Sequence, residues 1–501
     1  MSGTGGETLT TPERRSLTRA VLGGTGLLVL AGAVTKLFGL FSSPILTRLV
    51  GPAPYGVVAL TGTISSLATT VAMMGLDLSY ARYFFEGGRE KAEAVERFCW
   101  RFSLGTAIAA SLLAGAAWWW WEDMSGSPGG LAALVAAGTF IAVGIAMATT
   151  RRRVRGGYSR IAIATVAGGA IGVSLSVLLA WFWRPDAWAM LGGALAGSVA
   201  TVAILGVPTV GNLLARSGLD TRQRWELLRM GVASAVTAPM FWVMNSADRW
   251  FISAWAGQGP LGVYAFASGI GLTGMIVNAA LTLAWFPEMS REFETFGEEA
   301  LEGIGRLWAR LAGLHMVAWL AVAAGGGDLI RLLSDRRFHE GASLVPWLAG
   351  GVFFYGMAGL ANTGLFLRKN MAPTAAWWVG GAAANVMCNA LLVGRFGPLG
   401  GSLAACLSYA LIAGGMTWSA QSRLFLPIPW GKLLAAAAVV LLAGAVMRVP
   451  WSSSPLRSLL FKFPVGLVVG AAVAGVVAPD WVGRFFPWQW FRRSGGGSGA
   501  S

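Results

Sequence analysis

The chain of 501 residues carries a formal net charge of +15, yet only 12% of its residues are charged and 55% are hydrophobic. That charged share is about half the usual globular value, too little to clothe a soluble core of this length, and the long apolar runs lack the alternation of a β-barrel. Most of the positive charge lies in loops between apolar runs, as the positive-inside bias requires, so no nucleic-acid partner is expected.

The first 18 residues form a polar tail ending in a basic cluster. A full-length span follows without a small-residue cleavage site, so no removable signal peptide is expected. About 20 apolar residues cross a bilayer as a helix. Fourteen segments qualify: 19–42, 56–76, 98–121, 131–150, 161–183, 189–214, 230–255, 262–286, 304–324, 343–366, 373–393, 399–420, 432–449 and 458–478. The fold class is therefore an all-α polytopic membrane protein. Loops on the N-terminal side collect Arg14, Arg15, Arg19, Arg82, Arg89, Lys91, Arg97, the run RRRVRGGYSR (Arg151 to Arg160), Arg216, Arg222, Arg224, Arg229, Arg291, Arg368, Lys369, Arg423, Arg484, Arg492 and Arg493. The opposite loops hold far fewer, Arg184, Arg331, Arg336, Arg337, Arg395 and Arg457 among them. That roughly threefold excess places both termini in the cytoplasm. Two inner loops of mixed charge, 77–97 and 288–303, read as short amphipathic helices or as solvated linkers. The longest outer loop is 325–342. WWWWED (Trp118 to Asp123) fits an interfacial aromatic belt, and GGAIG (Gly168 to Gly172) and GGAAAN (Gly380 to Asn385) let helices approach closely. Cys99, Cys388 and Cys406 read as small apolar residues. The tail 479–501 ends in a flexible Gly/Ser stretch.

An internal repeat organises these spans. GPAPYGVVALTGTI (Gly51 to Ile64) matches GQGPLGVYAFASGI (Gly257 to Ile270) at a shift of 206, and GGALAGS (Gly192 to Ser198) matches GGSLAAC (Gly400 to Cys406) at 208. In each hairpin, Gly and Pro turn the chain between two spans. The shift contains six spans, an even number, so the copies enter the membrane in the same direction. The expected plan is a first six-helix bundle over 19–229, a parallel second one over 230–431, an extra helix pair over 432–478, and a cleft between the bundles suited to alternating access.

With LTRLVGPAPYGVVAL and GLDLSYARYF in the first half, the chain continues through ADRWFISAWAGQGPLGVYAFA, AWFPEMSR, LIRLLSDRRFHEGASLVPWL and NTGLFLRKN to NVMCNALLVGRFGPLGGSLAACLS. In order and spacing this set resembles the polysaccharide-export flippases, the oligosaccharide branch of the multidrug/oligosaccharidyl-lipid/polysaccharide exporter superfamily. The resemblance covers nearly the whole chain. It implies two six-helix bundles around a cavity in the bacterial inner membrane. The implied function is translocation of polyprenyl-diphosphate-linked oligosaccharides for polysaccharide or O-antigen assembly, with membrane lipids and glycan assembly proteins as partners.

Ionisable residues inside spans are the informative ones, because hydrocarbon penalises them. Lys36, in GAVTKLFGL, reads as a cationic contact for a lipid diphosphate or as an interhelical ion-pair partner. Arg48 follows on the same helix, about 18 Å along the axis, as a second station or an interfacial anchor. Asn245, Asp248 and Arg249 share span seven. Asn245 and Arg249 are candidate cavity residues; Asp248 is either a site for a coupling H+ or Na+ or half of an ion pair that pins the bundle. Asp77 and Arg82 suit a cytoplasmic gate pair or a plain helix-end pair. Asn278, Asn362, Asn385 and Asn389 read as interhelical hydrogen-bonding groups, and His315 as a packed neutral histidine or a proton site.

No catalytic constellation, metal-ligand spacing or phosphate-cradling loop is visible, so the chain is not expected to be an enzyme or to hold a cofactor beyond a coupling ion. Three alternatives stand beside oligosaccharide flipping. Export of the lipid-linked peptidoglycan precursor is the nearest. Export of small cationic drugs, as in a sister branch, would favour a more acidic interior. A membrane-embedded glycan polymerase or ligase would have to place its site in GGGDLIRLLSDRRFHEGAS, the longest outer segment.

Overall fold

In a computed structural model the chain is described over residues 11–125, 129–209, 217–235 and 238–479, with positions 211 and 215. The first ten residues, Arg216 and the tail beyond 479, with Arg484, Arg492 and Arg493, lie outside these. The described residues form α-helices and short 3₁₀ turns. They fall into two compact units, Met1–Pro239 and Met240–Ser501.

The first unit contains α1 (Thr11–Val50), α2 (Pro52–Met73), α3 (Leu76–Tyr83), α4 (Arg89–Ser125), α5 (Leu131–Val154), α6 (Tyr158–Phe182), α7 (Ala187–Leu205) and α8 (Thr221–Ala235). The helix of the first span starts at Thr11, inside the expected tail. Pro44 interrupts its ladder by removing a donor, and Ser43 Oγ donates to the Leu40 carbonyl that Pro44 leaves free, at 2.8 Å. The inner segment 77–97, read as short amphipathic helices or a solvated linker, is mostly helix, α3 and the start of α4. Its core gathers Leu76, Tyr80, Val95, Cys99, Met147 and Leu227. α8 packs on α3: Ser79 Oγ donates to Leu227 O at 2.8 Å.

The second unit contains α9 (Ala238–Ala256), α10 (Gln258–Gly271), α11 (Met275–Phe296), α12 (Leu301–Leu333), α13 (Val345–Ala361), α14 (Thr363–Leu367), α15 (Ala372–Phe396) and α16 (Pro398–Gln421), then the pair α17 (Trp430–Met447) and α18 (Pro455–Val477). Most of the expected outer loop 325–342 is also regular: α12 runs to Leu333 and a 3₁₀ turn covers Arg336–Ser343. Asp335 caps that turn, accepting from Arg337 N at 3.1 Å and Nε at 2.8 Å. These bonds hold its carboxyl below the usual carboxylate range, so the cap is retained at neutral pH and lost only as pH falls through the lowered value.

Thirteen helices among the described residues are long and apolar enough to cross a membrane. α9, the seventh expected span, is not one of them, because Asn245, Asp248 and Arg249 dilute its 19 residues. Polar side chains thus cluster in the seventh expected span, where hydrocarbon would penalise them.

The two hairpins of the repeat have the same backbone. One residue separates α1 from α2 and one separates α9 from α10: Gly51 at φ 80°, ψ 176°, and Gly257 at φ 91°, ψ 178°. This region of conformational space is essentially confined to glycine. Gly257→Ala should therefore cost about 1–3 kcal/mol through backbone strain alone. Open space surrounds that position, so a thermal-unfolding comparison in detergent isolates the backbone effect.

Candidate functional site

The polar residues of α9 open into a cavity inside the second unit, lined also by Tyr264, Ser268, Tyr355 and Tyr409. Asp248 is buried at 7% exposure. Its carboxylate accepts from the Tyr264 hydroxyl and, at 2.8 Å, from the backbone N–H of Arg249. The Arg249 side chain makes no ion pair with it among the described residues, and its buried Nε has no hydrogen-bond partner. Asn245 Nδ2 donates to Phe241 O at 2.8 Å, which turns this amide back onto its own helix. Tyr355 and Tyr409 meet edge to face at 5.7 Å, and Trp378 packs on both. The cavity volume is about 50 Å³. A single water needs about 10–15 Å³ on this scale, so the space suits a small cation or a few waters and is far too small for a glycan headgroup.

The remaining expected residues lie elsewhere. Lys36 is exposed on α1 and forms no ion pair among the described residues. It lies on one helical stripe with Ser43 and Thr47, seven and eleven residues on. Arg48 is also exposed, but on the stripe of the exposed apolar residues Leu37, Phe41 and Ile45. Asp77 is exposed in the first turn of α3, and Arg82 pairs with Glu86 at 2.9 Å; among the described residues, no ion pair joins the expected gate partners Asp77 and Arg82.

His315 is buried, with Nδ1 2.8 Å from Leu311 O, an arrangement that suits a packed, helix-bonded ring. Asn278 Nδ2 donates to Val352 O at 3.0 Å, bridging two helices. Gly356 makes the room for His315 and Asn278, since a Cβ there would meet both side chains. Asn362 accepts from Thr374 at 2.6 Å, and Asn389 donates to Asn385 on its own helix. Cys99 and Cys406 are buried, and all three cysteines are free.

Two charged networks have no counterpart in the sequence reading. In the first unit, Glu96 is buried and takes Arg151 at 2.8 Å, Arg155 at 2.5 Å and the Tyr80 hydroxyl at 3.0 Å. In the second, Lys462 of α18 meets Asp328 of α12 at 2.6 Å. Ser458 Oγ donates to the same carboxylate oxygen at 2.9 Å, and Lys462 Nζ also donates to Ala324 O at 3.1 Å. Asp328 and Lys462 are 1% and 3% exposed, so α18 is fastened to α12 by a buried ion pair.

Comparison with solved structures places this fold. It is similar to "Lipid II flippase MurJ, inward closed conformation", with a TM-score of 0.71 over 91% of this chain and 99% of that one, at 10% identity. It is also similar to an inward-facing multidrug resistance MATE family transporter of the MOP superfamily, with a TM-score of 0.63 over 78% of this chain and 94% of the other, at 16% identity. Likeness at these identities speaks for the fold alone. No curated protein matches the sequence. The family model described as "Polysaccharide biosynthesis protein" matches residues 45–295, half of the chain, and the chain belongs to that family.

Proposed function

We propose that this multi-pass membrane protein is a flippase that moves a polyprenyl-diphosphate-linked oligosaccharide across the bacterial inner membrane by alternating access, for polysaccharide export. The observation that carries the proposal is the conjunction of a polysaccharide-biosynthesis family with a flippase fold over most of the chain. Both termini are cytoplasmic on this reading, by the positive-inside bias. Lys36, a span lysine that is exposed and without an ion-pair partner among the described residues, contacts the diphosphate. Arg48 anchors α1 at the interface. Asp248, buried beside Tyr264 in a cavity of ionic size, takes the coupling H+ or Na+. A lipid-linked peptidoglycan precursor is the second reading, favoured by the name of a solved structure, a lipid II flippase, whose fold this chain shares over 91% of its length.

The test is reconstitution into liposomes with a labelled polyprenyl-diphosphate oligosaccharide, measuring its exposure to an outside probe under an imposed H+ or Na+ gradient, against the peptidoglycan precursor in parallel. Wild-type protein should translocate the oligosaccharide faster. Asp248→Asn should lower the gradient-driven rate at least about tenfold, the loss of one buried charged contact, while leaving substrate binding intact. Lys36→Ala should weaken binding of the diphosphate. No movement of either lipid would remove the flippase reading, and unchanged transport in Asp248→Asn would remove the coupling role.

A further inference from the structure

The run RRRVRGGYSR divides its arginines between two tasks. Arg151 and Arg155 neutralise Glu96. Arg152 and Arg160 have no carboxylate within ion-pair distance among the described residues. Arg152 Nε donates to Leu205 O at 2.6 Å, and Arg160 Nε donates to Ile204 O at 2.5 Å. These carbonyls belong to the last two residues of α7, which no longer have helical partners. Among the described residues each guanidinium is thereby fixed through one N–H, which leaves four N–H donors on each.

Their free ends converge. A Cβ on Gly206 would lie 3.0 Å from the terminal Nη2 of Arg152 and 3.8 Å from that of Arg160. Gly206 turns the chain away at φ 77° and puts no side chain over the spot. The α7 terminus offers about half a negative charge against two full positive ones. Two planar forks with outward donors match a phosphate, which each can bind through two parallel hydrogen bonds. The spot lies where three apolar helices end, which is the level of lipid headgroups.

We propose that Arg152 and Arg160 form a cradle for the phosphate of a lipid headgroup at the end of α7. Its assignment to the cytoplasmic leaflet rests on the orientation proposed above; the cradle itself does not. The phosphate comes either from the polyprenyl diphosphate carrier awaiting translocation or from a resident anionic phospholipid.

The experiment places the full chain in phosphatidylcholine nanodiscs and titrates in undecaprenyl diphosphate in one arm and phosphatidylglycerol in the other, counting retained lipid by native mass spectrometry. Arg152→Gln/Arg160→Gln should bind at least about tenfold more weakly than wild type, the effect of losing charge-assisted bonds. Arg153→Gln removes one positive charge beside Arg152, where Arg153 is exposed, and should change affinity less than about twofold, as expected for diffuse surface charge. Arg152→Lys/Arg160→Lys keeps the charge and loses the forks, so it reads the same geometry if the glutamine pair folds poorly. A preference for the diphosphate identifies the carrier, and equal binding in the two arms identifies a resident phospholipid; either supports the cradle. Wild-type retention in both double variants, or an equal loss in Arg153→Gln, overturns it. Lipid retention is read without translocation, so failure here is distinct from failure of the flippase reading.

Discussion

Lys462→Met should destabilise the second unit by about 3–5 kcal/mol, the usual effect of removing one partner from a buried ion pair. The reason is the carboxylate left behind. Asp328 is 1% exposed, and Lys462 is its closest cationic partner at 2.6 Å. Ser458 would still donate to it, but a hydroxyl does not cancel a charge. Arg331, one turn further on, stands 3.5 Å from the other oxygen and is itself partly exposed, so its compensation is weaker. The double variant Asp328→Leu/Lys462→Met should recover most of the loss, because an apolar pair of similar size removes both desolvation penalties. Thermal unfolding of the four proteins in detergent completes the double-mutant cycle. Equal damage from the single and double variants would show that packing, and not charge pairing, holds α18.

Gly197→Ala should unfasten α6 from α7. The two helices meet through Gly168 and Gly172 on one side and Gly193 and Gly197 on the other, with backbones in direct contact. A methyl on Gly197 would sit 2.8 Å from Gly172 Cα and 2.9 Å from Gly172 N. Backbone atoms cannot rotate aside, so the helices must separate along their length. Overpacking a well-filled core costs about 1–3 kcal/mol, and with no soft side chain at the contact the upper end is expected. In lipid this close approach is itself the source of helix association. Gly26→Ala is the matched control, because nothing lies within 4 Å of its added carbon. Equal melting temperatures for the Gly197 and Gly26 variants would refute the contact.

How much of this was legible in the sequence follows from what each signal measures. Span positions came through well, since hydropathy responds to the solvent the helix crosses. The hairpin repeat came through because Gly51 and Gly257 occupy a backbone region closed to other residues. Helix ends were less legible: long helices run on through stretches that composition marks as loops, as α12 does to Leu333. The polar character of span seven was visible, but Tyr264, Tyr355 and Tyr409 were not, since a tyrosine in an apolar helix looks the same whether it faces lipid or a buried carboxylate. Lys462 meets the criterion that singled out Lys36, a lysine among apolar neighbours in LLFKFPVGL. Its partner was hidden because Asp328 fell in a segment read as an outer loop. Arg152 and Arg160 were seen only as part of a charge excess, a bulk property that carries no geometry.

The bond between Asp328 and Lys462 also has a consequence in time. The partners are 134 residues apart in the chain. At about 5–20 residues per second of synthesis, α12 leaves the ribosome roughly 7–27 s before the lysine that neutralises its aspartate. During that interval Asp328 has Arg331, 3.5 Å away on its own helix and partly exposed, in place of the closer lysine. α18 therefore brings the closer of two cations to a carboxylate made long before it, and a chain truncated before Lys462 leaves Asp328 to Arg331 alone.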